Sequence, residues 1–207
     1  MDKLKATRAG AAAAKDAVIK AMLEEEANEI LSCEFMLDAL QNELEMYVAL
    51  KRDSSGAAWA HLVNAQMAAI HAVKAHPVAA HLEDVYIPRL HLLERLLFPK
   101  QLFMSMGLIV ERAECSLCGA VYGDCEHIKG RPYMGHMCVC VITKSKLLEA
   151  SFVECPANKH CRVLSLTDEN GIAIDVLSLE PIELTESSGF EEEVAAEPSL
   201  DERNPIG

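Results

Sequence analysis

Seven of the eight cysteines in this chain lie between Cys115 and Cys161, and five of them fall in a segment that also contains histidine. That segment runs from Cys115 to Cys140 and opens with a Cys-x-x-Cys-Gly turn. In a zinc knuckle, two thiolates project from such a turn toward one ion, and the glycine allows the backbone to fold beneath it. Thiolates and imidazoles at these spacings favour zinc over cations that prefer oxygen. The predicted ligands of this Zn²⁺ site are Cys115, Cys118, Cys125 and His127, with Cys138 as the alternative.

A site with four protein ligands has no open coordination position, so we expect its role to be structural. The other interpretations are buried cysteines and disulfides. The residues after Met1 lack the long apolar core of a secretory signal. We therefore expect a cytoplasmic chain with reduced thiols, which favours metal binding. A second site is the weaker alternative, and it would combine Cys138 or Cys140 with Cys155, His160 and Cys161.

The composition is that of an acidic chain with enough apolar residues for a core. Of the 207 residues, 51% are hydrophobic and only 5% aromatic, which together with abundant alanine favours helix packing. The formal net charge is -13, and residues 181–207 carry eight acids against one base. We expect this acidic tail to be disordered or bound to a partner.

The charge balance also argues against two classes of partner. A zinc module that grips nucleic-acid phosphates usually carries a basic face, whereas the bases between Cys115 and Cys161 are scattered among acids. No apolar run is long enough to cross a bilayer. We therefore expect neither nucleic acid nor a membrane as the partner.

The first half of the chain has a helical pattern. From about 11 to 50, apolar residues follow the alternating four-and-three spacing of a heptad seam, which predicts one long amphipathic helix or two in tandem. The seam residues are Ile19, Leu23, Ile30, Cys33, Leu37, Leu40, Leu44 and Tyr47. We expect this seam to dock onto a second copy or another subunit.

A second helix is predicted from Ala57 to about His76, where Pro77 ends it. Its small residues would permit close helix–helix approach: Ala58, Ala65, Ala68, Ala69 and Ala72. The histidines of this half are not three or four residues apart, so no two share a helical face as metal ligands. We interpret them as surface or interhelix polar residues: His61, His71, His76, His81 and His91.

After Pro99 the pattern changes to strands. Residues 102–110, 137–143 and 152–153 are predicted strands, and residues 162–177 form a predicted β-hairpin around an Asn-Gly turn. We expect one compact sheet with the zinc loop inserted between its strands. The sequence thus predicts an α+β protein with a helical domain at 1–100, a β-rich zinc-binding domain at 101–180 and a flexible acidic tail at 181–207.

Two segments flanking the cysteine-rich loop resemble the tailed-phage prohead proteases, whose fold is related to herpesvirus assemblin. Met104-Ser105-Met106-Gly107-Leu108 is similar to the strand thought to supply the serine nucleophile, and residues 148–158 are similar to the segment Leu-x-Glu-Val-Ser-Leu-Val-x-x-Pro-Ala-Asn. The resemblance covers about residues 102–166, and some members carry a similar Cys-rich insert. It implies Ser105 as nucleophile, Glu149 as the third triad member and a role in capsid maturation.

The family's histidine base lies on a strand in an upstream β region, whereas the upstream region here is helical. The leading hypothesis is therefore a non-catalytic, zinc-stabilised assembly protein of phage or prophage origin. It would form homo- or hetero-oligomers through its N-terminal helices and work in the host cytoplasm or in the virion. The alternatives are a prohead-type serine peptidase and a zinc-dependent nucleic-acid-binding or regulatory module.

Overall fold

Helices come first along the chain and strands follow. In the computed structural model, which describes residues 2–182, the helices are α1 (Asp2–Lys20), α2 (Glu24–Leu50), α3 (Ser55–Ala75) and α4 (Tyr86–Leu97). A 3-10 helix at Pro77–Leu82 joins the last two. The strands are β1 (Phe103–Cys115), β2 (Pro132–Tyr133), β3 (His136–Met137), β4 (Cys140–Val153), β5 (Ser165–Thr167), β6 (Ala173–Asp175) and β7 (Pro181–Ile182). The predicted α+β class is confirmed.

The first predicted helix is in fact two helices packed side by side. The chain leaves the helical conformation at residues 21–23, where Met22 adopts a left-handed φ of 57°. Beyond this break the two helices run antiparallel, since Arg8 pairs with Asp38 at 2.8 Å and Lys15 pairs with Glu34 at 2.5 Å. The seam predicted to continue from α1 into α2 is therefore interrupted, because the reversal places the two halves against each other.

Helix α3 supplies most of the helical core. The alanines predicted to allow close approach are all buried: Ala58, Ala65, Ala68, Ala69 and Ala72. The Ser32 hydroxyl of α2 donates a buried hydrogen bond of 2.8 Å to the Ala72 carbonyl of α3. Helix α3 ends at Ala75, two residues before Pro77, and Pro88 lies in the first turn of α4, where a missing N–H is tolerated. Alanine in α3 thus lets its neighbours pack closely around it.

The longest strands form a two-stranded antiparallel hairpin. Phe103 lies opposite Val153 at one end and Cys115 lies opposite Cys140 at the other, so the cysteine-rich loop connects the two strands. Residues 137–143 and 152–153, predicted as separate strands, fall largely within the single strand β4. The expected compact sheet was wrong, because the strands form three separate sheets: β1–β4, β2–β3 and β5–β6–β7.

The chain divides into two compact units after Val163. In the second unit, β5 and β6 form the predicted hairpin, shorter than expected. Its turn is fixed by the Asp168 carboxylate, which accepts the N–H groups of Asn170 and Ile172 at 2.9 Å and 2.7 Å. The predicted boundaries near 100 and 180 stay predictions, and the acidic tail lies outside the described residues from 183 onward.

None of the helices within residues 2–182 combines the length and the apolar composition that crossing a bilayer requires.

Enlarging a core alanine should destabilise the helical part. Ala69 is fully buried in α3, so Ala69→Leu forces neighbouring helices apart and should lower the free energy of unfolding by about 1–3 kcal/mol. Urea denaturation followed by helical circular dichroism measures the change. The control is Ala57→Leu at an exposed position of the same helix, where a change within about 0.5 kcal/mol is expected. Equal losses in both variants would contradict the packing described here.

Candidate metal centre

The loop between β1 and β4 brings together the four residues predicted as metal ligands. The side-chain donor atoms of Cys115, Cys118, Cys125 and His127 all lie within 4.8 Å of one another. Such spacing is compatible with tetrahedral coordination, in which ligand atoms sit about 2.0–2.3 Å from the ion. This cluster, called the Cys/His cluster below, could hold a metal ion.

The first two ligands lie on a tight turn stabilised by hydrogen bonds. The Gly119 N–H donates to the Cys115 carbonyl at 2.9 Å, and the Leu117 N–H donates to the Cys115 sulfur at 3.5 Å. Gly119 has a φ of +69°, a left-handed conformation that glycine adopts without a steric penalty. The Cys-x-x-Cys-Gly spacing thus produces the predicted knuckle, with sulfur atoms on one side and the backbone folded beneath them.

Two tyrosines position the segment that carries the other ligands. The Tyr133 hydroxyl accepts the Ile128 N–H at 2.9 Å, and the Tyr122 hydroxyl accepts the Lys129 N–H at 3.0 Å. The Tyr133 ring also meets the His127 imidazole edge-on, with centroids 4.8 Å apart. The Nδ1 atom of His127 is buried and has no hydrogen-bond partner among the described residues. A buried imidazole nitrogen of this kind suits a metal ligand, because metal coordination would compensate its loss of hydration.

Cys138 lies at the edge of the same cluster. Its side chain is fully buried, and its sulfur is 3.8 Å from that of Cys115. Two sulfur atoms bound to one tetrahedral zinc ion are separated by about 3.8 Å, given Zn–S bonds of about 2.3 Å. The geometry therefore keeps Cys138 as the alternative ligand.

The protein environment makes the thiols unequal. Burial opposes ionisation of Cys115, but N–H groups of Cys118 and Leu117 donate to its sulfur, and with the neighbouring thiols they lower its pKa to about 6. Burial, and after it the adjacent Cys115, raise the pKa of Cys138 to about 11. Cys115 is thus prepared to be a thiolate, the form that binds metal.

The loop contacts helix α2 through the backbone of Met134 and Gly135. The Asn28 side chain of α2 accepts the Gly135 N–H at 2.9 Å, and the Glu24 carboxylate accepts the Met134 N–H at 3.4 Å. A Cβ atom at Gly135 would lie 3.2–3.3 Å from Lys15 and Ile19 of α1, so the glycine permits this close approach. The Cys/His cluster is therefore held against the junction of α1 and α2.

The remaining cysteines do not join a second cluster within residues 2–182. Cys140 ends the β1–β4 ladder opposite Cys115, while Cys155 and Cys161 are exposed. His160 Nε2 lies 2.9 Å from the Asn64 side-chain oxygen. The second metal site considered from the sequence is thus not assembled in this part of the chain.

The structure places Ser105 and Glu149 on the same face of the β1–β4 hairpin. Ser105 lies opposite Ser151, and Glu149 lies opposite Gly107. The five histidines of the helical half interact elsewhere. His61 contacts Asn42, His71 contacts Phe35, His76 contacts Glu25, His81 contacts Val78 and His91 contacts Glu94. None of these interactions aims an imidazole at Ser105, and the peptidase interpretation stays a prediction.

Acidic residues partly offset the basic residues of the β1–β4 hairpin. Lys144 and Lys146 both pair with Glu111, at 2.8 Å and 2.5 Å, and Arg112 pairs with Glu114 at 2.7 Å. These pairs reduce the positive potential that phosphate binding requires. The structure thus offers no specific support for the nucleic-acid alternative.

No protein-family model, curated protein or solved structure matches the chain.

Two contributions to the site were not predicted from the sequence. Asn28 is buried in α2 at 8% exposure, and only a polar residue on a buried helical stripe could have signalled it. Tyr122 precedes Cys125 in a segment with no regular pattern. Its hydroxyl contact depends on the folded loop and leaves no spacing signal.

Removing one sulfur should abolish metal binding. In Cys118→Ser a neutral hydroxyl replaces a thiolate, so we expect the metal affinity to fall more than the about 10–100-fold that an outer-shell change costs. Competition with a chromogenic chelator measures this change. Cys161→Ser, at an exposed cysteine outside the cluster, should leave affinity unchanged. Equal effects of both substitutions would exclude the Cys/His cluster as the metal centre.

Proposed function

We propose that this chain is a non-catalytic assembly or interaction protein in which Zn²⁺ fastens the β-rich part and the helices recruit another subunit. The observation that carries the proposal is an exposed apolar stripe on α2 in the same unit as a cluster with a full set of four protein ligands. A cluster with four protein ligands has no position for substrate, which favours a structural role.

Two observations favour zinc: the chemistry of the donor atoms, and the small number of buried apolar side chains in the part of the chain that contains them. Three thiolates and one imidazole are a common ligand set for structural zinc. Between residues 101 and 163, the buried apolar side chains are Phe103, Cys115 and Cys138, so two of the three are cysteines in the metal-binding loop. The energy of metal binding would therefore supply stability that apolar burial does not.

Zinc should be found in the purified protein at one equivalent per chain. Elemental analysis measures the amount, and X-ray absorption at the zinc edge should show three sulfur neighbours and one nitrogen. A shell of four sulfurs would place Cys138 in the site instead of His127.

Chelation should remove the β-sheet signal while the helical signal largely persists, because binding energy at such a site is folding energy. Reduced protein without any metal would refute the zinc proposal.

The stripe on α2 is the surface proposed to recruit a partner. Leu40, Leu44, Tyr47 and Val48 lie on one helical face and are 37–49% exposed. The first three belong to the predicted heptad seam. Helix α1 pairs with α2 at Glu34 and Asp38, before this stripe begins. The stripe thus combines the exposed seam residues of α2 with the neighbouring Val48.

The biological setting proposed for this assembly is a phage or prophage virion. Its support is the resemblance of the segments at residues 104–108 and 148–158 to prohead proteases. The partner is then another copy of the chain or another virion subunit.

A charge in the stripe should weaken oligomerisation. Leu44→Glu places a carboxylate where the partner would bury an apolar side chain, so we expect the apparent mass to fall by at least half in light scattering coupled to size exclusion. The control is Met22→Glu, a similar change at a 77% exposed position in the turn before α2, about 30 Å from Leu44 along the helix axis. A wild-type monomer that binds no partner would contradict the proposal, as would equal effects of both substitutions.

A further inference from the structure

The β1–β4 hairpin has one face that is apolar along most of its length. Side chains alternate between the faces of a strand, and directly opposite residues share a face. Met104 lies opposite Phe152 and Leu108 lies opposite Leu147, so these four belong to one face. The large apolar side chains on this face, called the apolar hairpin face below, are Met104, Met106, Leu108, Val110, Leu147 and Phe152, and the smaller Ala150 and Ser145 lie among them.

All six side chains of the apolar hairpin face are 41–65% exposed. The opposite face differs in character, since it carries Ser105, Gly107, Lys146 and Glu149. It also carries Phe103, whose ring lies 6.1 Å from Trp59, so this opposite face is the one turned toward the helices at the base of the hairpin. The apolar hairpin face therefore points away from the helical core.

Exposure of large apolar side chains is unfavourable for an isolated two-stranded hairpin. A two-stranded hairpin is marginally stable in water unless a third strand or a packed face supports it. Contiguous apolar patches of several hundred Å² on a monomer usually mark an interaction site. The apolar hairpin face is more continuously apolar than the opposite face, where Ile109 lies among Ser105, Gly107, Lys146 and Glu149, and this continuity indicates a surface made to be covered.

We propose that the apolar hairpin face packs against the same face of a second copy of this chain. The six side chains present on the order of 600 Å² of apolar surface, so two copies would bury roughly 1,200 Å², the lower limit of a standard interface. None of the six is charged, whereas the chain as a whole carries a formal net charge of -13. Face-to-face contact therefore brings two copies together where electrostatic repulsion is weakest.

A two-fold axis through this contact makes the interface self-complementary, since each copy offers the same ridge of methionine, leucine and phenylalanine. Packed sheets lie about 10 Å apart, a distance that side chains of this size fill. The surface is distinct from the stripe on α2, and the inference stands without the helical interface. The two interfaces can be tested separately.

The test compares substitutions on the two faces of one ribbon. In the zinc-loaded full chain, Met106→Glu with Leu147→Glu places two carboxylates in the contact and should raise the dissociation constant at least tenfold in sedimentation velocity. Ile109→Glu is the matched control, because Ile109 is 52% exposed and lies opposite Lys146 on the other face. It should leave the dissociation constant unchanged. Equal weakening by both variants would overturn the proposal.

A second measurement needs no substitution. Hydroxyl-radical footprinting of wild-type protein should show Met104, Met106 and Phe152 becoming protected as concentration rises, while Met22, 77% exposed, stays reactive. Unchanged reactivity at all four, or protection only on adding lipid vesicles or a different protein, would overturn the proposal. If Leu44→Glu alone lowers the mass, the hairpin contact fails and the helical one stands. If only Met106→Glu with Leu147→Glu lowers the mass, the helical contact fails and the hairpin contact stands.

Discussion

The position of the Cys/His cluster depends on a hydrogen bond between residues far apart in the chain. The Asn28 side chain accepts the Gly135 N–H at 2.9 Å, and Asn28 is only 8% exposed. An unsatisfied buried amide would cost about 1–3 kcal/mol, so this contact selects one placement of the loop on the helices. Gly135 suits the contact because its φ of +75° strains any other residue and a Cβ atom there would press on Lys15 and Ile19. Correct placement of the loop thus depends on the folded helical part.

The two parts of the first unit are stabilised by different physical means. The helical part buries alanines of α3 against its neighbours and fills the remaining space with Met46, Leu62 and Leu90. The β1–β4 hairpin has little core of its own beyond Phe103 and the cysteines of the loop. Sulfur–metal bonds can replace apolar burial in so small a structure. This division explains why alanine is concentrated in the first half of the chain and cysteine in the second.

Local patterns in the sequence predicted the local structure well. The knuckle around Cys118, the helix ending before Pro77 and the Asn170-Gly171 turn each depend on residues close in sequence. Two helices were one of the two predictions for this stretch, but the position of the break at Met22 and the reversal of the chain were not predicted, because no proline or glycine marks them. The separation into three sheets was also missed, because strand pairing such as Phe103 with Val153 is decided by long-range contacts. The Cys/His cluster was predictable because the spacing of its residues is itself local.

The hairpin is fastened at both ends. At its base Phe103 packs beside Trp59, and beyond its far end the loop is held by Asn28. The thirteen residues of β1 span about 43 Å at 3.3 Å per residue, so the hairpin is a long element attached to the helices near both of its ends. Releasing only the contact with Asn28 would leave the hairpin attached at its base, where Phe103 packs beside Trp59. Because loss of the ion is expected to unfold the β-rich part, it would increase the hydrodynamic radius of the molecule far more than it would change the helical content.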